Sequence, residues 1–230
     1  MNKADGERFR VYADAEAVAQ AVAEYLHMQI EDCIAVSGQC HVVLPGGTTP
    51  ARCLEILAEK TLPWQNIHWY PGDERCYPVG HAERNDTMIR DRLFSRQQDA
   101  DKKIIDKNFH PIPAELGPEQ GAETYTRLLD ATGKMDIVVL GMGEDGHTAS
   151  LFPGNAAIDD QASAVAVYGA PKPPAERVSV GLNTLKDAGV RIIIATGEGK
   201  REVLTKLKQG EVFPVGMVAP DLWFVDLAAV

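Results

Sequence analysis

Apolar residues in this chain follow two periods. From 15 to 31, Val18, Val22, Leu26 and Ile30 recur at the spacing of one helix face, which predicts a first helix. Short apolar runs then return: C-H-V-V-L at 40–44, I-H-W-Y at 67–70, D-I-V-V-L at 136–140, S-A-V-A-V-Y at 163–168, R-V-S-V-G-L at 177–182, V-R-I-I-I-A at 190–195 and L-W-F-V at 222–225. Their length and their β-branched and aromatic content predict strands. Helical spacing fills several intervals between them, over 49–60, 85–95, 118–131 and 198–208. Strands alternating with helices predict the α/β class, with a mostly parallel, doubly wound (Rossmann-like) sheet and helices on both faces. The stretch 153–177 breaks the rhythm with prolines at 153, 171, 173 and 174, and reads as a long loop plus one strand. No linker composition interrupts the pattern, so residues 1–230 are expected to form one domain.

Composition narrows the function classes. At 230 residues and 45% hydrophobic content the chain is long and apolar enough for a sizeable core, and it shows no repeat or low-complexity segment. No run approaches the roughly 18 apolar residues of a membrane span. The opening M-N-K-A-D-G-E-R-F-R lacks the apolar region of a secretory signal, so a cytoplasmic protein is expected. Cys33, Cys40, Cys53 and Cys76 form neither C-x-x-C pairs nor a dense framework, which fits a reducing compartment and argues against structural zinc. A net charge of −10 argues against a nucleic-acid partner. An acidic chain that takes an anion must hold it at a local site.

Several strand ends carry residues suited to such a site. Leu44-Pro45-Gly46-Gly47-Thr48-Thr49-Pro50 follows a strand and opens a helix. Its glycines let backbone amides turn to a ligand, Thr48 or Thr49 is a cap candidate, and a helix N-terminus favours a phosphate oxygen. An ordinary capped β–α turn fits the same residues. Pro71-Gly72-Asp73-Glu74-Arg75-Cys76 follows the next strand; its charges read either as a solvated end or as a pocket border, with Arg75 on a carbonyl and Asp73 orienting a neighbour. Asn85 opens the helix after it, as a cap or as a residue facing the site. Pro171-Lys172-Pro173-Pro174-Ala175-Glu176-Arg177 holds Arg177 behind prolines that restrict its approach. Thr196-Gly197-Glu198-Gly199-Lys200-Arg201 puts two cations where a helix macrodipole disfavours them, which a bound anion explains; surface charges without a partner fit this stretch and the Arg177 stretch as well.

The remaining motif is D-I-V-V-L-G-M-G-E-D-G-H-T-A-S-L-F-P-G at 136–154. Gly141, Gly143 and Gly146 spell G-x-G-x-x-G after a strand, and Asp159 and Asp160 follow where a ribose-binding acid is expected. Two features argue against a dinucleotide. Pro153 limits any helix from His147 to about two turns, and Glu144 and Asp145 put carboxylates where a pyrophosphate would sit. The loop instead presents one histidine at a strand's C-terminal end. Imidazole of ordinary pKa, about 6.5, is mostly neutral at pH 7, the state a general base needs. Backbone donors, cations and one imidazole, with no nucleophilic Ser or Cys arrangement and no metal-ligand spacing, describe a pocket where water attacks a small phosphorylated substrate.

L-P-G-G-T-T-P, G-D-E-R, N-D-T, G-M-G-E-D-G-H-T-A-S-L-F-P-G, P-K-P-P-A-E-R-V-S-V and A-T-G-E-G-K-R occur in this order over residues 44–201. With these motifs the chain resembles the bacterial-type 6-phosphogluconolactonases, whose fold is shared with glucosamine-6-phosphate deaminase. The resemblance implies hydrolysis of 6-phosphoglucono-1,5-lactone, with His147 as the base that activates water and Arg75 beside the lactone. It also implies that Arg177 and Lys200 bind the phosphate, with Gly46, Gly47 and Thr48 close by. Ala175 stands where the family often has proline. The full candidate set is His147, Arg75 and Asp73 for catalysis, and Gly46, Gly47, Thr48, Asn85, Gly143, Asp145, Lys172, Arg177 and Lys200 for substrate and phosphate. Neither a metal nor an organic cofactor is expected, and no membrane partner; a monomer or weak homo-oligomer is. A sugar-phosphate deaminase or isomerase of the same fold is the alternative, but its F-N-E-P glutamate is replaced here by Leu151-Phe152-Pro153. A sugar-phosphate sensor would bring a DNA-binding segment, for which one helix before the first sheet strand leaves no room.

Overall fold

Successive residues of each apolar run face opposite sides of a sheet, and that alternation organises the molecule. The computed structural model describes residues 8–230. In chain order its main elements are β1 (Phe9–Tyr12), α1 (Ala15–Ser37), β2 (Cys40–Leu44), α2 (Thr48–Leu57), β3 (Ile67–Pro71), β4 (Asp73–Arg75), α3 (Asn85–Ile89), α4 (Asp99–Asn108), α5 (Pro118–Thr132), β5 (Ile137–Gly141), β6 (Ala164–Val167), β7 (Arg177–Val180), α6 (Leu182–Asp187), β8 (Val190–Ala195), α7 (Arg201–Lys208), α8 (Pro214–Met217) and β9 (Leu222–Asp226). Six strands form a parallel sheet in the order β1-β9-β8-β5-β2-β3. Val42, Val139, Ile192 and Phe224 point into one core, against α1 and α2. Their neighbours Val43, Val138, Ile193 and Val225 point into the other. Strands covered on both faces read as unbroken apolar runs, which is why the sequence pattern located them.

The structure departs from the expected pattern at identifiable places. The first sheet strand is β1, ahead of α1, so the helix expected to precede the sheet follows its edge strand. The strands expected over 163–168 and 177–182 form as β6 and β7 but lie outside the parallel sheet. They join β4 in a three-stranded antiparallel sheet, order β4-β7-β6. Gly72 is the junction: its N–H donates to Leu44 O at 2.8 Å in the parallel sheet, and its carbonyl accepts from Val180 N at 2.8 Å in the antiparallel one. The small sheet is thereby held against the C-terminal ends of β2 and β3.

Strand order sets the site's location. From β2 the chain crosses through α2 to β3 on one side, then returns as β5 on the other side of β2. Loops leaving β2 and β5 therefore diverge and leave a crevice at the strands' C-terminal ends, where open α/β sheets hold ligands.

Candidate active site

The loop after β2 meets the crevice with backbone. Gly47, at φ 105, is the residue before α2, and no side chain caps the helix. The threonine cap expected there is absent, because Thr48 and Thr49 already lie in the helix and Thr49 Oγ1 is 2.7 Å from Thr196 Oγ1. The amides of that first turn face the crevice uncapped, the arrangement that attracts an anion. Gly46 is fixed by crowding: a Cβ there would lie 2.1 Å from Asn85 Oδ1. Asn85 makes no cap either. Its Nδ2 donates to Asp73 O at 2.8 Å and to Asp73 Oδ1 at 2.9 Å.

The charges of β4 are buried rather than solvated, with Asp73 6% and Glu74 0% exposed. Asp73 accepts from Asn85 and, at 2.5 Å, from Ser150 Oγ. Glu74 supplies the cap that Asn85 does not. Its carboxylate accepts from the backbone N–H of Arg75, Asn85 and Asp86, each at 2.8 Å. Burial pushes the Glu74 carboxyl up to about 7, against the pull of those three donors. The buried Arg84 guanidinium lies 3.9 Å away and forks onto Asp86 at 2.9 and 2.7 Å. Arg75 leaves this base to reach the crevice, with Nη1 donating to the Glu83 carbonyl. Its buried Nε has no partner among the described residues.

The loop after β5 is a tight turn, and no helix opens at His147. Gly143 N donates to His147 O at 2.9 Å and Gly146 turns at φ 81. A Cβ on Gly143 would sit 2.0 Å from His147 Nδ1, so the glycine makes room for the ring. His147 Nδ1 lies 2.5 Å from Asp145 Oδ1, and its ring packs 4.5 Å from that of Phe152. Burial raises the Asp145 carboxyl, but the charge and hydrogen bonds of His147 outweigh this and hold it below its ordinary value. Ala149, just beyond, adopts φ 49, a left-handed conformation costly for a residue with a Cβ.

Two further loops bring cations. Arg177, 5% exposed, faces Arg75 across the β4–β7 pair. It donates from Nε to Pro174 O at 3.2 Å and from Nη2 to Lys172 O at 2.8 Å and Pro173 O at 3.3 Å, with its guanidinium carbon 5.6 Å from the Phe152 ring. Burial lowers its pKa, partly offset by Asp73. Lys200 is also shifted down by burial, with Glu144 opposing and Lys172 adding to the effect. Gly199 lets that loop approach Glu144, since a Cβ would stand 2.7 Å from Glu144 Oε1.

These loops enclose a cleft of about 430 Å³ lined by Gly46, Gly47, Thr48, Asp73, Arg75, Asn85, Gly143, His147, Lys172, Arg177 and Lys200, with Thr49, Ala149 and Thr196 among the other walls. Arg75, His147, Lys172 and Arg177 also border an adjoining hollow against Phe152 and Glu83. Eleven of the twelve candidate residues thus share one cleft. Asp145, expected among the binding groups, stands behind His147 and does not line it. Sequence reading missed Ser150, Glu74 and Arg84, whose roles rest on partners far along the chain. It also missed Phe152 as a wall for both His147 and Arg177.

The model of the "glucosamine-6-phosphate isomerases/6-phosphogluconolactonase" family matches residues 13–224. Among similar proteins, 6-phosphogluconolactonase from Rattus norvegicus is 32% identical, over 95% of this chain and 91% of its own. The Thermotoga maritima enzyme of that name is 31% identical, over 95% and 99%. Its crystal structure superposes with a TM-score of 0.84, at 28% identity over 95% of this chain and 98% of that one. A monomeric glucosamine-6-phosphate deaminase shares the fold, at TM-score 0.80 and 20% identity over 96% and 98%.

Proposed function

The chain belongs to the glucosamine-6-phosphate isomerase/6-phosphogluconolactonase family, and on that premise we propose that it hydrolyses 6-phosphoglucono-1,5-lactone to 6-phosphogluconate with His147 as general base. The observation that carries this reading is the meeting, in one cleft, of a carboxylate-oriented imidazole with four cations and an uncapped helix N-terminus. Asp145 accepts the Nδ1 proton, which leaves Nε2 as the nitrogen that takes a proton from water. Hydroxide so formed adds to the lactone carbonyl, and negative charge builds on the carbonyl oxygen. Arg75, which lines the cleft and whose Nε has no partner among the described residues, is assigned as the donor that meets that charge. Collapse of the intermediate breaks the ring C–O bond, and the imidazolium returns its proton to the departing alkoxide. A δ-lactone is an activated ester, so a base and positioning suffice.

The phosphate is assigned to Lys200, Arg177 and the amides of Gly47 and Thr48, with Lys172 beside them. Asp73 touches Asn85 and Ser150 and is read as the group that orients the Asn85 amide toward the cleft. The deaminase reading draws no support from the loop after His147, where Ala149 lines the cleft, Leu151 is buried and Phe152 borders the adjoining hollow, in place of a second carboxylate. The test is consumption of freshly made 6-phosphogluconolactone with the spontaneous rate subtracted, beside release of ammonia from glucosamine 6-phosphate. Ammonia release without lactone consumption above background overturns the reading.

A further inference from the structure

At the other end of the sheet, a second cluster of ligating side chains plays no part in this chemistry. Cys33 lies in the last turns of α1, Cys40 begins β2, and Asp136 precedes β5. One ligand atom from each, two sulfurs and a carboxylate oxygen, lie within 4.8 Å of one another. They converge because α1 ends at Gly38, in a left-handed conformation at φ 80, and the chain reverses through Gln39 directly into β2. That reversal folds Cys33 back over Cys40. Asp136 is fixed beside them, its Oδ2 accepting from His41 N at 2.8 Å.

We propose that Cys33, Cys40 and Asp136 bind a thiophilic divalent cation of the zinc and cadmium class. Two sulfurs and a carboxylate are a donor set for such ions, with preference over magnesium or calcium. In tetrahedral coordination with Zn–S bonds of about 2.3 Å, the sulfurs stand about 3.8 Å apart, so the cluster closes by at most about 1 Å. Each thiol releases its proton to solvent as its sulfur–metal bond forms, and the carboxylate binds as the anion. The Cys33 thiol now donates to Gln39 O at 3.4 Å. That carbonyl also accepts from Ser37 Oγ at 2.5 Å, so it keeps a donor when Cys33 ionises, and the fourth position is left to water. Cys40 is fully buried whereas Cys33 is partly exposed, so the ion enters from the Cys33 side.

The ion would pin the C-terminus of α1 to the start of two central strands. It stands one strand length from the cleft, about 15 Å at roughly 3.3 Å per residue, so it acts on stability and not on the reaction. The spacing of the ligands hid the site, since a C-x6-C pair with an aspartate far downstream matches no metal motif.

The experiment titrates metal-stripped protein with Cd²⁺ and follows the ultraviolet sulfur-to-cadmium charge-transfer band. One ion per chain is expected, with a rise in Tm. Cys33→Ser should lose the band and weaken binding at least about 100-fold, and Asp136→Asn should weaken it less; losing even a ligand's supporting contact costs about 10–100-fold. In wild type, bound Cd²⁺ should protect Cys33 from alkylation, a readout that requires no variant. Lactone hydrolysis should be equal with and without the ion. Absence of the band, its persistence in Cys33→Ser, or Cd²⁺ inhibition competitive with substrate overturns the proposal.

Discussion

A single hydrogen bond carries the role proposed for His147. With Nδ1 held by Asp145 at 2.5 Å, the ring cannot turn freely and only Nε2 is left to the cleft. His147→Ala should lower kcat by roughly 10²–10⁴, the usual size of a general-base contribution, while a phosphorylated inhibitor still binds. Near-normal kcat in this variant rules out the role. Asp145→Asn keeps the shape but loses the anion that fixes the tautomer, so kcat should fall by about 10–100-fold with KM little changed. Gly143 belongs to the same argument, because a Cβ 2.0 Å from Nδ1 displaces the ring. Local chemistry of this kind was legible in the sequence: a glycine turn after a strand, with one histidine, occupies consecutive positions. Ser150 was not legible. A serine is generic until Asp73, 77 positions away, is seen to accept its hydroxyl at 2.5 Å.

Elements explain what the pattern found and what it missed. Strands buried on both faces announce themselves, but β1 exposes its two middle residues and α4, D-A-D-K-K-I-I-D-K-N, offers only one adjacent apolar pair. The D-E-R of β4 reads as a solvated end because its partners, Arg84 and the amides of α3, lie beyond any local window. Glu74 joins those two elements. Glu74→Ala would strand three N–H groups, those of Asn85 and Asp86 buried, and remove a carboxylate beside Arg84, so unfolding free energy should drop by more than about 3 kcal/mol in urea titration. A second element-level effect belongs to the β2–β3 edge, where His41, His68 and His110 stack at centroid distances of 4.9 and 5.4 Å. Burial lowers the pKa of all three, and His110 is pushed down to about 4 from an ordinary 6.5, with the other two rings adding to the effect. Between pH 6.5 and 4 these histidines therefore bind fewer protons in the folded protein than in the unfolded chain, while Glu74, raised to about 7, opposes them down to its ordinary 4.5. The histidine contribution to stability is full above pH 6.5 and is lost as the pH falls through that window. Over this range the urea midpoint of wild type should fall relative to that of His110→Phe, a comparison in which the Glu74 contribution cancels. Equal slopes would remove His110 from the account.

On the scale of the whole molecule, the proposed reaction asks a chain of net charge −10 to take up a dianion. Long-range fields oppose capture, so affinity depends on the donors gathered where β2 and β5 diverge: Lys172, Arg177, Lys200 and the α2 amides. The structure separates two of these cations in a way the sequence could not. Lys200 faces the cleft from its own loop, whereas Arg177 spends Nε and Nη2 on the carbonyls of residues 172–174 and also braces that loop. Both substitutions to alanine should raise KM for the phosphorylated lactone, each by about 1.5–3 kcal/mol in kcat/KM, the worth of a charge-assisted contact. Unphosphorylated gluconolactone separates the roles. Lys200→Ala should leave its kcat/KM nearly unchanged, because the group that Lys200 holds is missing. Arg177→Ala should also lower its turnover somewhat, because the released loop carries Lys172. Arg177→Lys should recover little of the loss, since an ammonium cannot satisfy three carbonyls and a phosphate as the planar guanidinium can. The ratio of kcat/KM for the two lactones, measured in each variant, is the readout. If Arg177→Ala lowers both lactones equally, Arg177 serves the loop alone, and the phosphate rests on Lys200, Lys172 and the amides.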